Sequence, residues 1–208
     1  ANNVKLLEAY VPMFHPQHQW VKDQLPHYGT PYHIQIHYTC PAPKPGNIRY
    51  NPTLNGGVLH DSVGYAINLL LFHFEGTPKV ISATQRQHSE YPVDQAMSLN
   101  LEYPNGLIAQ AFFGFGLQYR SQYTITCERG ILTPQRAFSI NKDVAPKIEI
   151  ESNEGVTIQT LEPADQFLSM IDQFCQYLET EKESPQINRE KTMLQHHMIK
   201  SIQNQFLL

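Results

Sequence analysis

Apolar residues recur along this chain with two different periods, and the change from one to the other divides it into elements. From Gly56 to Phe74, GGVLHDSVGYAINLLLFHF, the period is helical. At about 100° per residue, Val63, Ile67, Leu70, Leu71 and Phe74 fall on one side, which predicts a buried face. Asp61, Tyr65 and Asn68 gather on the opposite side at i, i+4 and i+7. Elsewhere the period is two. Tyr32–Thr39 alternates, with Tyr32, Ile34, Ile36 and Tyr38 on one face and His33, Gln35, His37 and Thr39 on the other. Gln95–Tyr103 aligns Met97, Leu99, Leu101 and Tyr103; Pro104-Asn105-Gly106 turns the chain. Leu107–Leu117 then returns with Leu107, Ala109, Ala111, Phe113 and Phe115 aligned, the strongest hairpin signal present.

The remaining pattern fills in around these. Leu6–Val11 reads as a short strand, and a helix starts at His15-Pro16 with Trp20, Val21 and Leu25 as its apolar stripe. Pro26–Pro31 is a turn. Cys40–Asn55 contains Pro41, Pro43, Pro45, Gly46 and Pro52, and its length predicts a covering loop rather than a plain connector. Further strands are expected at Val80–His88, Tyr123–Cys127, Ile131–Thr133, Ala137–Ile140, Lys147–Glu151 and Val156–Thr160, with a turn at Glu128-Arg129-Gly130. Two helices follow. Pro163 opens the first, striped by Phe167, Ile171, Phe174, Cys175 and Leu178. The second is built on Leu194, Met198, Ile202 and Phe206, beyond the Ser184-Pro185 break. Helices outside a consecutive run of short-turn strands predict an α+β fold, a mostly antiparallel open sheet with helices on one face.

Composition narrows the function classes. The 208 residues are 41% hydrophobic and only 16% charged, with 11 Tyr and 10 Phe, which favours strands and a large packing surface. A formal net charge of −4 without a Lys/Arg cluster argues against a nucleic-acid partner. The longest apolar run, Leu69–Phe72, is far too short for a membrane span, and no signal peptide opens the chain. Cys40, Cys127 and Cys175 are widely spaced and read as buried free thiols of a reducing, cytoplasmic compartment. The chain starts Ala-Asn-Asn without Met, as a piece of a longer protein would.

Chemistry concentrates on the central helix. A carboxylate, a phenol and an amide stacked as Asp61, Tyr65 and Asn68 can orient a polyol and pass a proton. The competing explanation is that Asp61 only complements the helix dipole and that the other two are surface residues. Ten histidines raise a metal question, but His15/His18 and His33/His37 lie in no His-Glu-x-x-His run. No Cys pair has ligand spacing, so no metal site is expected. No serine sits in a Gly-x-Ser-x-Gly elbow, and no Gly-rich strand-to-helix turn matches a dinucleotide fingerprint.

Four stretches in order resemble the C-terminal half of the glucose–fructose oxidoreductase, inositol dehydrogenase and rhizopine-catabolism family, Gfo/Idh/MocA. They are Glu8-Ala9-Tyr10 with Phe14-His15-Pro16-Gln17-His18; Gly56-Gly57 with Asp61 and Tyr65; Val93-Asp94 with Tyr103-Pro104-Asn105-Gly106; and Glu128-Arg129-Gly130. The resemblance implies a fold like the C-terminal domain of glyceraldehyde-3-phosphate dehydrogenase, and a place beside an N-terminal Rossmann domain that binds NAD or NADP. That domain is absent from this chain. It also implies hydride transfer between nicotinamide and a sugar, cyclitol or related carbinol. Asp61 and Tyr65 match the family's catalytic pair, with Asn68 and His15 on the substrate side. One departure stands out: the family's glycine two residues after the aspartate is Val63 here, and Gly64 follows it.

The resulting expectation is a single domain, residues 1–208, for substrate binding and oligomerisation, inactive without its Rossmann partner. The alternative is a stand-alone module that binds carbohydrate or only dimerises. On the sheet face away from the helices, Ala96, Ile108 and Phe112 interrupt the polar residues, and a homodimer or larger homo-oligomer is expected through that face.

Overall fold

The computed structural model describes residues 4–184 and 186–206. After a 3₁₀ turn at Val11–Phe14, helix α1 runs from Pro16 to Gln24; strand β1 follows at Pro31–Cys40. Helices α2 (Val58–Asp61) and α3 (Val63–His73) lead into β2 (Lys79–Gln87), β3 (Asp94–Glu102), β4 (Ile108–Phe115), β5 (Arg120–Cys127), β6 (Gly130–Pro134), β7 (Lys147–Ser152) and β8 (Gly155–Thr160). Helices α4 (Gln166–Thr180) and α5 (Arg189–Asn204) close the chain. None of the helices among the described residues is long and apolar enough to cross a membrane.

The eight strands form one sheet in the order β2-β3-β4-β1-β5-β6-β7-β8. Every pairing is antiparallel except β1 with β4. The fold is therefore α+β with a mostly antiparallel sheet. β1 is slotted between β4 and β5, so the β4–β5 connection must pass over its end. It does so at Cys40, whose carbonyl accepts from the Leu117 amide at 3.1 Å, while Thr39 Oγ1 donates to the Gln118 carbonyl at 2.6 Å.

One sheet face is the core. The register sets Ile34 beside Ala109 and Ile125, and Ile36 beside Ala111 and Tyr123, all buried. Met97, Leu99, Phe113 and Phe115 extend this layer, and Val63, Ile67 and Leu70 of α3 complete it. α3 is buried nearly all round; only Tyr65 and Asn68 are half-buried along Val63–His73. Its C-terminal carbonyls are satisfied by two lysines: Lys191 Nζ donates to Leu71 O and Lys22 Nζ to Phe72 O, each at 2.7 Å.

The core also holds a polar chain. His18 Nε2 lies 3.1 Å from the Ala137 carbonyl, which only accepts, so that nitrogen carries the proton. His18 Nδ1 then accepts from the Tyr123 hydroxyl at 3.2 Å, and Tyr123 accepts from His73 Nε2 at 3.1 Å. Both imidazoles are neutral in this pattern.

The outer face is mainly polar. Asn100 Nδ2 donates to Ser82 Oγ, Gln110 Nε2 to Asn100 Oδ1, and His33 Nε2 meets Gln110 Oε1, each at 3.0–3.1 Å. This ladder crosses β2, β3, β4 and β1. Exposed Ile108 and half-buried Phe112 sit beside it.

Several expectations are corrected. Leu6–Val11 is no strand: it pairs with nothing among the described residues, and a tight turn brings the Tyr10 amide to the Glu8 carbonyl at 2.9 Å. Ala137–Ile140 is irregular because its backbone is used elsewhere: Ala137 N donates to Ser121 O, Phe138 N to Ser121 Oγ, and Ala137 O accepts from His18. The central helix is two helices, broken at Ser62 with φ −125°. Pro163 lies before α4, whose N-cap is Asp165, accepting from Phe167 N and Leu168 N. Cys175 is exposed, not buried, because the apolar stripe of α4 faces outward.

Candidate active site

The Gly56-Gly57 pair shapes the ground on which Asp61 and Tyr65 stand. A Cβ on Gly56 would lie 2.7–2.8 Å from the carbonyl oxygens of Ile48, Arg49 and Asn51, so only glycine lets the 40–55 loop fold back this closely. Gly56 N donates to Asn51 O and Gly57 N to Arg49 O, both at 2.9 Å. Gly57 has φ +97°, and a Cβ there would overlap the Asp94 carboxylate. Asp94 Oδ2 in turn accepts from Leu59 N at 2.7 Å and holds the first turn of α2. Asp94 is thus an anchor for the helix that carries Asp61.

The loop is pinned from the other side by stacked rings. Tyr50 lies 4.3 Å from Tyr91 between centroids, with His88 and Phe115 edge-on or close by, and Tyr50 OH donates to Pro43 O at 3.0 Å. So held, the loop brings Arg49 to the carboxylate: Arg49 Nε donates to Asp61 Oδ2 at 2.8 Å. Both side chains remain partly open, 34% exposed for Arg49 and 26% for Asp61. Only the Nε proton is committed to this ion pair, and the guanidinium fork keeps further donors.

Tyr65 sits next to this pair in an aromatic cup. Its ring is 5.4 Å from Tyr10, 6.0 Å from Tyr38 and 6.1 Å from Phe138, centroid to centroid. Burial, and next the Asp61 charge, push the Tyr65 phenol above its ordinary value, while Arg49 pulls it back in part. Tyr38 is pushed up to about 12, mostly by burial. Tyr65 is thus held protonated through neutral pH, beside a carboxylate and a cation, with apolar walls around it. Such a group donates a hydrogen bond or a proton.

The other sequence-based candidates lie differently. Asn68, two turns further along, donates its amide to Gln195 Oε1 of α5, and Gln195 Nε2 donates to Glu8 Oε2 at 3.1 Å. It belongs to a second polar cluster behind Tyr10 rather than to the Asp61 ion pair. His15 is buried; its Nδ1 accepts from Gln17 N at 3.2 Å and caps α1, while its buried Nε2 has no partner among the described residues. Burial holds its pKa below the usual histidine value. Sequence reading missed Arg49, Tyr10, Tyr38 and Phe138. For Arg49 the signal was faint: it is the lone arginine in a proline-rich loop that precedes the glycine pair.

A family model for the GFO/IDH/MocA C-terminal domain matches residues 26–133, a span that includes Arg49, Asp61, Tyr65 and Asn68 but not His15. The chain belongs to this family. Among curated GFO/IDH/MocA relatives, a dTDP-3,4-didehydro-2,6-dideoxy-alpha-D-glucose 3-reductase of Streptomyces antibioticus is 31% identical over 81% of this chain and 52% of its own length. A D-xylose 1-dehydrogenase (NADP(+)) of Haloferax volcanii is 27% identical over 91% of this chain and 58% of its own. The chain therefore spans little more than half of the curated relatives it matches. Among solved structures, KijD10, a 3-ketoreductase from Actinomadura kijaniata in complex with NADP and TDP-benzene, superposes with a TM-score of 0.88. It is 24% identical, and the match covers 97% of this chain and 62% of KijD10. That likeness shows the fold.

Proposed function

We propose that this chain is the substrate-binding domain of an NADP-dependent oxidoreductase acting at a carbinol or carbonyl carbon of a sugar. Asp61 and Tyr65 are its contribution to the chemistry. The observation that carries this reading is the placement of a protonated Tyr65 beside the Arg49–Asp61 ion pair, at the half-open end of α3. Relatives that reduce a keto-dideoxysugar or oxidise D-xylose with NADP support the substrate class and the cofactor.

The dinucleotide itself does not fit the residues described. Its pyrophosphate needs a Gly-rich turn between a parallel strand and a helix N-terminus. Here the glycine pair precedes the four-residue α2, Gly57 faces the Asp94 carboxylate, and the only parallel pairing among the described strands is β1 with β4. An anion would meet a carboxylate there. In this reading the hydride donor is held by a nucleotide-binding domain, in the part of the relatives that this chain does not span. What this chain supplies is the sugar's position and the proton.

Those two tasks follow from the geometry. Asp61 Oδ1 and the uncommitted guanidinium donors of Arg49 offer an acceptor and donors for neighbouring sugar hydroxyls. The half-buried rings of Tyr10 and Tyr38 offer apolar surface to one side of a pyranose. When a carbonyl carbon gains hydride, its oxygen takes the Tyr65 phenolic proton, and solvent restores that proton afterwards. The phenol enters that step protonated, as a proton donor must be.

Partners follow from the same reading: a nucleotide-binding domain, and a second copy across the outer sheet face. That face contains a cavity of about 470 Å³ with Ala96, Met97, Phe112 and Leu117 in its lining, next to the polar ladder. The functional test is calorimetric and kinetic. The 208-residue chain alone is expected to bind no NADPH. The protein that carries the nucleotide-binding domain is expected to oxidise NADPH only when a keto-sugar is supplied. One-to-one NADPH binding by the chain alone contradicts the division of labour. NADPH-independent sugar binding with no turnover in the larger protein favours the non-catalytic module instead.

A further inference from the structure

α5 buries Gln195, Met198 and Ile202 along one stripe, so an amide stands where the helical period calls for an apolar side chain. Gln195 is 2% exposed. A buried amide costs free energy unless its hydrogen bonds are made. Here they are made on both sides. Asn68 Nδ2, one turn beyond Tyr65 on α3, donates to Gln195 Oε1, and Gln195 Nε2 donates to Glu8 Oε2 at 3.1 Å. Chemistry fixes the order of this chain: a carboxylate only accepts, so Gln195 turns its nitrogen to Glu8 and its oxygen to Asn68.

Tyr10 joins this chain to Tyr65. A tight turn brings Tyr10 N to Glu8 O at 2.9 Å, so the two side chains leave one bend. Burial, and next the Glu8 charge with a hydrogen bond to Glu8, push the Tyr10 phenol above its ordinary value, while a hydrogen bond from Gln195 pulls it back in part. The Tyr10 proton is therefore given to Glu8, and the ring it presents to Tyr65 is a wall rather than a second donor. That ring meets Tyr65 edge-on, with 5.4 Å between centroids and 89° between planes, and its hydroxyl lies over Gly64. Tyr65 is thus flanked by Tyr10 and, one turn on, by Asn68, and both of these end on the Gln195–Glu8 pair.

We propose that Gln195 and Glu8 are positioning residues for Tyr65, acting through the Tyr10 ring and the Asn68 side of α3. The proposal rests on the function proposed above. Tyr10 comes from a segment that pairs with no strand among the described residues, so no backbone ladder fixes its ring and the hydroxyl anchor does. An apolar side chain at position 195 would complete the α5 stripe with no hydrogen bond to satisfy; what the amide adds is the link from α3 to Glu8 and Tyr10. A proton donor has to meet the reacting oxygen at hydrogen-bond distance, and a misplacement of about 1 Å can cost about 10²-fold in rate. A clamp on the Tyr65 ring therefore bears directly on turnover.

Gln195→Met keeps the volume and removes the link. In the protein that carries the nucleotide-binding domain, at saturating keto-sugar and NADPH, it should lower kcat about 10-fold, short of the cost of a full ångström of misplacement, with KM and NADPH affinity unchanged. Glu8→Ala should do the same. Glu8→Gln keeps an oxygen for the Tyr10 proton and for Gln195, and should restore most of the turnover. Glu8 is exposed, so its two variants carry the test should Gln195→Met fail to fold. A second readout needs no activity: in the 208-residue chain, the NMR signals of the Tyr65 ring carbons should shift and broaden in Gln195→Met and Glu8→Ala and hold their places in Glu8→Gln. Unmoved ring signals in the first two variants overturn the proposal. So does a parent-like kcat in both while Tyr65→Phe is impaired. Parent-like turnover of Tyr65→Phe itself would sink the functional reading instead, and the ring signals would then decide the clamp alone.

Discussion

Arg49 Nε donates to Asp61 Oδ2 across 2.8 Å, and the two meet because a glycine pair folds the loop of one onto the helix of the other. The pair sets the charge that Tyr65 feels. Asp61 raises the phenol pKa and Arg49 opposes it. Replacing Arg49 by Met leaves the carboxylate unopposed, so Tyr65 should titrate at higher pH than in the parent chain. Following the Tyr65 ring carbons by NMR against pH measures this directly. An unmoved or lowered titration would mean that the ion pair does not act on Tyr65.

Gly64, the residue after Val63, is held to glycine by Tyr10. The Tyr10 hydroxyl lies over it, and a Cβ there would overlap both the hydroxyl and the adjoining ring carbons. Gly64→Ala should therefore force Tyr10 off the helix and destabilise the chain by about 1–3 kcal/mol, the usual range for overpacking a filled site. Denaturant unfolding checks the magnitude. Tyr10→Ala should relieve most of the penalty, since it removes the clashing ring, and a double variant no better than Gly64→Ala alone would contradict this contact.

The buried His18–Tyr123–His73 chain makes stability depend on acid. Burial holds His18 down to about 3, and holds His73 well below its ordinary value, with nearby His18 and Lys22 lowering it further. In the unfolded chain both return to about 6.5. Between these values the unfolded state binds more protons, so stability should be fully present above about pH 6.5 and should fall as pH drops from there toward 3. Unfolding free energies measured at pH 7, 6, 5 and 4 should show this slope, and replacing His73 by Gln should reduce it. A flat profile below pH 6.5 would contradict the neutral assignment.

The parts legible in the sequence were those set by local period and turn chemistry. Tyr32–Thr39, Gln95–Tyr103 and Leu107–Leu117 alternate because one face of each strand is buried, and all three are strands within one or two residues at each end. The insertion of β1 between β4 and β5 was not legible, because strand order is set by long-range packing and leaves no local pattern. Leu6–Val11 reads as a strand but has no strand partner among the described residues. The stripe of α4 was legible as an apolar face, yet Phe167, Ile171 and Leu178 are exposed, because periodicity marks a face without saying what it packs against. Asp61 and Tyr65 were visible from helical spacing together with family resemblance. Arg49 was not, since its approach depends on a loop folding back over Gly56, and nothing in the spacing of residues 49 and 61 encodes that contact.

The central claim is that Tyr65 delivers or holds the proton at the reacting oxygen of a sugar. Its most direct test is the turnover of Tyr65→Phe in the protein that carries the nucleotide-binding domain, compared with the parent at saturating NADPH. The substitution removes one hydroxyl and keeps the ring among Tyr10, Tyr38 and Phe138. The account predicts a fall in kcat of about 10²–10⁴-fold, the range for loss of a positioned acid or base, with NADPH affinity unchanged. Turnover equal to that of the parent would contradict it.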